Sequence, residues 1–188
     1  MLAKIIDETS DAVVAAINGV NNILEALTNT VKGQVINVLS GTGEVATSGV
    51  EAVASVASGA IKGAGQVGTS LTDTIASTMS GAVQGANQVG GDVISTIQGA
   101  AQGIVSGTAD TGGDVGQAAV SAVQGAIKSA GDIGADTSEA AKAAVSGVLD
   151  AATAIGGDAA QTVRDALLSA AALPREVIVA AIKDKDNK

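Results

Sequence analysis

The chain contains no cysteine, histidine, tryptophan, tyrosine or phenylalanine. Without cysteine there is no disulfide, no thiol nucleophile and no thiolate-held metal, and the redox compartment stays open. Without histidine the side chain most often used for proton transfer is missing. The lack of aromatics removes the usual anchors of interface hot spots, base-stacking platforms and membrane-interface belts. Basic residues are also scarce: ten Lys and Arg stand against nineteen Asp and Glu, for a net charge of -9, and none lies between Lys62 and Lys128. Such a field repels phosphate, so nucleic acid is not an expected partner. No run of eighteen or more apolar residues is present, which argues against a membrane-spanning helix. The N-terminal MLAKIIDETSD shows no signal-peptide pattern, so the expected location is cytoplasmic.

What the chain has in place of motifs is a repeat. From Ala15 to Leu168 a 22-residue unit recurs seven times without insertion, beginning at Ala15, Asn37, Gly59, Gly81, Gly103, Gly125 and Gly147. The third position is aliphatic in every copy, and the ninth in all but one, where Thr111 stands. Apolar residues fall at about positions 2, 3, 6, 9, 13, 16, 17, 20 and 21, which is helical spacing and not the alternation of a strand. Ile61, Val83, Val93, Ile97, Val105, Ile127, Ile133, Leu149 and Ile155 form this apolar face. Twenty-two is twice eleven, so the stripe of an unbroken helix would stay nearly straight.

Positions ten to fifteen decide whether the helix breaks. They read GGDVIS from Gly90, GGDVGQ from Gly112, GADTSE from Gly134 and GGDAAQ from Gly156, with GTSLTD from Gly68 as a looser version. Glycine suits the left-handed residue just past a helix C-terminus, and Asp two residues later suits the next N-cap. Capping turns are therefore expected at Gly90, Gly91 and Asp92, at Gly112, Gly113 and Asp114, at Gly134 and Asp136, and at Gly156, Gly157 and Asp158. Asp114 with Gln117, Asp136 with Glu139 and Asp158 with Gln161 resemble capping boxes. The predicted fold is all-α: about seven repeats, each an Ala/Gly-rich helix of roughly nineteen residues and about 28 Å, joined by tight turns and packed up and down, antiparallel. Residues 1–14 read as an N-terminal helical cap with Asp7, Thr9, Ser10 and Asp11 as capping residues, and residues 169–188 as a short helix from Arg175 to about Ile182 with a charged tail. The first two copies are irregular, with Leu24 and Ala46 at the tenth position.

Glycines inside the helices need a different account, because each costs about 1 kcal/mol relative to Ala. Gly99, Gly103 and Gly107 are spaced by four, as are Gly59 with Gly63 and Gly81 with Gly85. That spacing makes a ridge on which another backbone can approach closely. Gly63 to Gly68 also matches G-x-G-x-x-G, but neither the preceding strand nor the βαβ context is there, so no cofactor is expected. Asp92, Asp114, Asp136 and Asp158 recur as a column that could bind Ca²⁺, yet N-caps need the same residue at the same place, and no metal is expected. Thr69, Thr72, Thr74 and Thr78 raise ice binding, but later copies do not keep their columns.

The array resembles the 11/22-residue amphipathic-helix repeat proteins: exchangeable apolipoproteins, perilipin-like droplet coats, phasin-like granule coats and late-embryogenesis-abundant proteins. That resemblance implies a reversible coat on lipid or polymer granules, or protection during drying. Three features depart from it: no Lys or Arg flanks the middle repeats, large apolar residues are scarce, and Gly interrupts every later unit. The expectation from the residues is a non-enzymatic structural protein whose helices pair with copies of itself, as a homo-oligomer or filament. A lipid or granule coat is the alternative, and no small-molecule substrate is expected.

Overall fold

A computed structural model describes residues 2–41, 46–67 and 69–186, with the side chains of residues 19, 21–40, 49–65 and 69–185. The described chain is all helical, with no strand: α1 Leu2–Gly41, α2 Ala46–Val67, α3 Leu71–Gln88, α4 Val93–Asp110, α5 Val115–Asp132, α6 Thr137–Ile155, α7 Gly157–Ser169 and α8 Arg175–Asp186. The side chains of Asp7, Thr9, Ser10 and Asp11 and the whole of Gly68 lie outside the described residues. Helix α1 runs for 40 residues through the boundary between residues 14 and 15. Its continuity has a local cause: Leu24, Glu25 and Ala26 stand where the last four copies carry Gly, Gly or Ala, and Asp, so both the stop and the start signal are missing. At the other end α8 continues to Asp186, four residues past the expected Ile182.

Three links share one construction. Gly90, Gly112 and Gly134 have φ of 66°, 71° and 73°, the left-handed geometry that a side chain would strain. Around the first, the Gly91 N–H donates to the Ala86 carbonyl at 2.9 Å and the Gly90 N–H to Asn87 at 3.2 Å. Gly113 to Thr108 with Gly112 to Ala109, and Ala135 to Ala130 with Gly134 to Gly131, repeat the pair. These are Schellman closures, which satisfy the last carbonyls of the outgoing helix. The next helix is capped at once. Asp92 accepts from the backbone N–H of Ile94 and Ser95, Asp114 from Gln117, and Asp136 from Ser138 and Glu139. The Gln117 side chain does not return to close a capping box; its Nε2 donates to Thr72 Oγ1 of α3 at 3.4 Å.

The fourth link departs from this construction. Gly156 has φ 150° and ψ 168°, and is the one residue between α6 and α7. Gly156 keeps a positive φ that side chains rarely adopt, but its ψ of 168° replaces the αL geometry of the other three. Helix α7 then begins at Gly157, and Asp158 falls inside its first turn. Asp158 is therefore not the N-cap, and no side chain caps α7. Its carboxylate still lies at the positive end of the helix dipole.

Among the described residues, packing joins helices one or two apart in sequence and no others. Helices α1, α3, α5 and α7 consequently form one row and α2, α4, α6 and α8 a second. Contact within a row sets the register. A methyl group placed on Gly99 would meet the Val50 carbonyl of α2 at 2.5 Å, one on Gly103 would overlap the Ala54 carbonyl, and one on Gly107 would meet Ser58 O at 2.9 Å. The numbers rise together, so α2 and α4 run parallel. A methyl group on Gly81 or Gly85 of α3 would in the same sense meet Thr28 O at 2.5 Å or Lys32 O at 2.9 Å of α1. Lys62 of α2 and Asp110 of α4 close one end of their pairing with a salt bridge at 2.7 Å.

Between the rows lies a core of small and branched residues. Ile75, Met79, Ile97, Ile104, Leu149 and Leu167 are among the largest side chains fully enclosed, and Ala100, Ala122 and Ala144 of one repeat column are wholly buried beside them. In that column α3 carries Thr78, also fully buried, and its hydroxyl has no hydrogen-bond partner among the described residues. Of the apolar face expected from the sequence, Ile61, Val83, Ile97, Val105 and Leu149 are buried, and Val93, Ile127 and Ile133 are half-buried. Ile155 is not part of the core: it is 44% exposed, because the ninth position is the last residue of α6 and lies past the packed length of the helix.

Candidate interaction surface

The expected glycine ridge divides into two kinds of surroundings. Gly81, Gly85, Gly99, Gly103 and Gly107 lie against the backbone of the helix two before them. Gly59 and Gly63 do not: both are exposed, and a methyl group on either would meet nothing within 4 Å. The reason is positional. Ser55, Gly59 and Gly63 stand 44 residues before Gly99, Gly103 and Gly107, so on α2 they face the place where a helix two before α2 would lie. No described helix lies there.

The result is a groove of about 650 Å³ between α1 and α2. Ile23, Leu27 and Val31 line it from α1, and Ser55, Gly59 and Gly63 from α2. Ile23 is 39% exposed, a large apolar side chain at the mouth of a long apolar trough. The hydroxyls along it are occupied locally: Thr30 Oγ1 donates to the Ala26 carbonyl and Ser55 Oγ to Glu51, each one helical turn back. Among the described residues, no charged side chain lines the groove.

The opposite end of the molecule is finished differently. Helix α8 turns Ile178 and Ile182 inward against α6 and α7 and keeps Arg175, Glu176 and Lys183 exposed. Lys185 reaches the Asp150 carboxylate and donates to Ser146 Oγ of α6 at 3.2 Å. A charged outer helix is what seals the end of a repeat array.

Polar groups elsewhere serve the turns. Asp92 forms the densest of them: besides its two backbone bonds, its Oδ2 accepts from Ser95 Oγ at 2.6 Å. The Ser95 hydroxyl and then the Ser95 N–H, with a lesser part from the Ile94 N–H, hold its carboxyl below its ordinary value against the opposing effect of burial. The column Asp92, Asp114, Asp136 and Asp158 does not gather into a cluster that could hold a metal ion among the described residues. Nor is any described helix long and apolar enough to cross a membrane.

Three close-packing glycines escaped the spacing rule. Gly147 of α6 abuts the Gln98 carbonyl of α4, Gly125 of α5 lies over Met79 of α3, and Gly116 of α5 lies against Ala166 and Thr162 of α7. Gly125 and Gly147 occupy the first position of their repeats, so the column would have found them where the search for glycines four apart did not. Comparison with known proteins finds no matching family model, no similar curated protein and no similar solved structure.

Proposed function

We propose that this chain is a non-enzymatic structural protein, an up-and-down array of seven 22-residue repeats that self-associates through the end of the array. The parallel pairing of α2 with α4 supports the up-and-down reading, since α3, joined to α4 by one tight turn, then runs against both. The observation that carries self-association is the contrast between the two ends: α8 closes one with charge, and the groove between α1 and α2 leaves the other open and apolar. An exposed apolar trough of this kind in a repeat array is where the next element belongs. A catalytic reading has no support, since histidine and cysteine are missing and the described N-cap carboxylates are held in helix caps.

Analytical ultracentrifugation with a far-UV circular dichroism melt tests this. A multimer in plain buffer with cooperative loss of helix is the expected result. A monomer at all concentrations, or helix that forms only when lipid vesicles are added, would overturn it and favour the coat reading.

A further inference from the structure

Resting on that self-association reading, we infer that the groove between α1 and α2 is filled by the N-terminal half of α1 from a second copy of this chain, exchanged reciprocally. The register names the occupant. On α4, the ridge Gly99, Gly103 and Gly107 is covered by Val50, Ala54 and Ser58 of α2. Forty-four residues earlier, the vacant ridge Ser55, Gly59 and Gly63 calls for Ile6, Ser10 and Val14. Those residues exist in the chain, and the repeat pattern extends to them: Ile5, Ile6, Ala12 and Val13 fall in the columns of Val93, Ile94, Ala100 and Ala101.

Their own helix keeps them from the seat. To reach it within one molecule the chain would have to turn near Leu24, where the later repeats carry Gly90, Gly112 and Gly134. With Leu24, Glu25 and Ala26 in place of the turn residues, α1 continues through as a single helix of 40 residues, about 60 Å long. Helix α3 pairs with α1 from about residue 20 onward, as the pairing of Gly81 with Thr28 requires. A hairpin opened into one long helix, with its second arm's seat left vacant, is the arrangement of a domain swap. Two copies satisfy each other when their α1 helices lie antiparallel about a two-fold axis near Leu24 and Glu25. Each then lays residues 2–20 along α2 of the other. Because the two-fold closes the contact, the product is a dimer and not a filament.

The absence of cysteine allows a direct test on the full chain. Full-length Ser10→Cys and full-length Gly59→Cys chains are mixed, unfolded and refolded together, then oxidised. A disulfide between the two different chains is expected as the main product; products dominated by like chains would overturn the proposal. In parallel, the triple variant Leu24→Gly, Glu25→Gly, Ala26→Asp rebuilds the turn. It is expected to halve the sedimenting mass while keeping the helix content, because each chain then fills its own seat. Gly59→Leu, whose Cβ would meet nothing within 4 Å inside the chain and whose longer side chain would enter the groove, is expected to stay folded and to raise the dimer dissociation constant at least tenfold. A wild-type monomer overturns both this proposal and the self-association reading. A multimer that survives the rebuilt turn and Gly59→Leu unchanged, without the mixed disulfide, overturns only this one.

Discussion

Helices α2 and α4 carry the same row of small residues, Ser55, Gly59 and Gly63 on one and Gly99, Gly103 and Gly107 on the other, and the row does opposite things. On α4 it lies against a backbone, so each missing side chain permits an approach that any Cβ would block. On α2 it faces open space. The intrinsic cost of glycine is the same in both helices, about 1 kcal/mol per residue, but only α4 recovers it through packing within the chain. A glycine in a helix is thus defined by its neighbour two helices away, and an unrecovered cost marks where a neighbour is missing.

The largest effect that can break this comparison is Gly103→Leu. Leu is the better helix former by most of 1 kcal/mol, yet its side chain would enter space held by the Ala54 carbonyl, which cannot rotate away. A net loss of about 3 kcal/mol is expected, at the upper end of overpacking costs, read as a fall of about 6–12 °C in Tm. An unchanged or raised Tm would mean that α4 does not pack on α2 as described.

Turn residues offer a second contrast. Asp114→Ala should cost about 1 kcal/mol through loss of the cap bond to Gln117, whereas Asp158→Ala, which caps nothing, should stay within about 0.5 kcal/mol of the parent. Equal losses in chemical denaturation would show that the fourth link is built like the other three. Within the core, Thr78→Val replaces a buried hydroxyl that lacks a partner with a methyl group, and should raise stability by about 1 kcal/mol. Gly33→Ala sharpens the comparison most directly. Gly33 and Gly99 share the nineteenth position of their repeats, but Gly33 has nothing within 4 Å. The substitution should stabilise by most of 1 kcal/mol, while Gly99→Ala should destabilise.

The smallest expected effect lies in the Asp92 turn. Its carboxyl titrates below its ordinary value, so the stability it lends is complete above the unfolded value and is lost as pH falls through the lower folded one. In a carboxyl-detected NMR titration, Ser95→Ala should move the Asp92 midpoint upward.

Much of this was legible in the sequence because it is local. Gly90 and Asp92, Gly112 and Asp114, and Gly134 and Asp136 give stop and start signals whose causes lie within a few residues, and the helical period fixes which columns turn inward. The unreadable part depends on distant neighbours. Gly59 and Gly103 have similar flanking sequences, and nothing near either reveals that one is covered. Ile155 shares a column with half-buried Ile133 but ends a helix past the packed region. Asp158 follows Gly-Gly as Asp114 does, yet the backbone at Gly156 takes another path. That helices two apart make the closest contacts was likewise hidden, since the period orients a stripe without naming the helix it meets.

Contacts that reach only one or two helices along the chain also set the unit by which such a molecule can grow. Adding 44 residues in the middle supplies one helix to each row and leaves every existing kind of contact, and the side from which the chain emerges, as they were. Adding 22 residues shifts all later helices into the opposite row, so α8 and its charges would close the wrong row and the C-terminus would leave from the other side. The duplication that this architecture tolerates is therefore the pair of repeats, even though the sequence displays the single one.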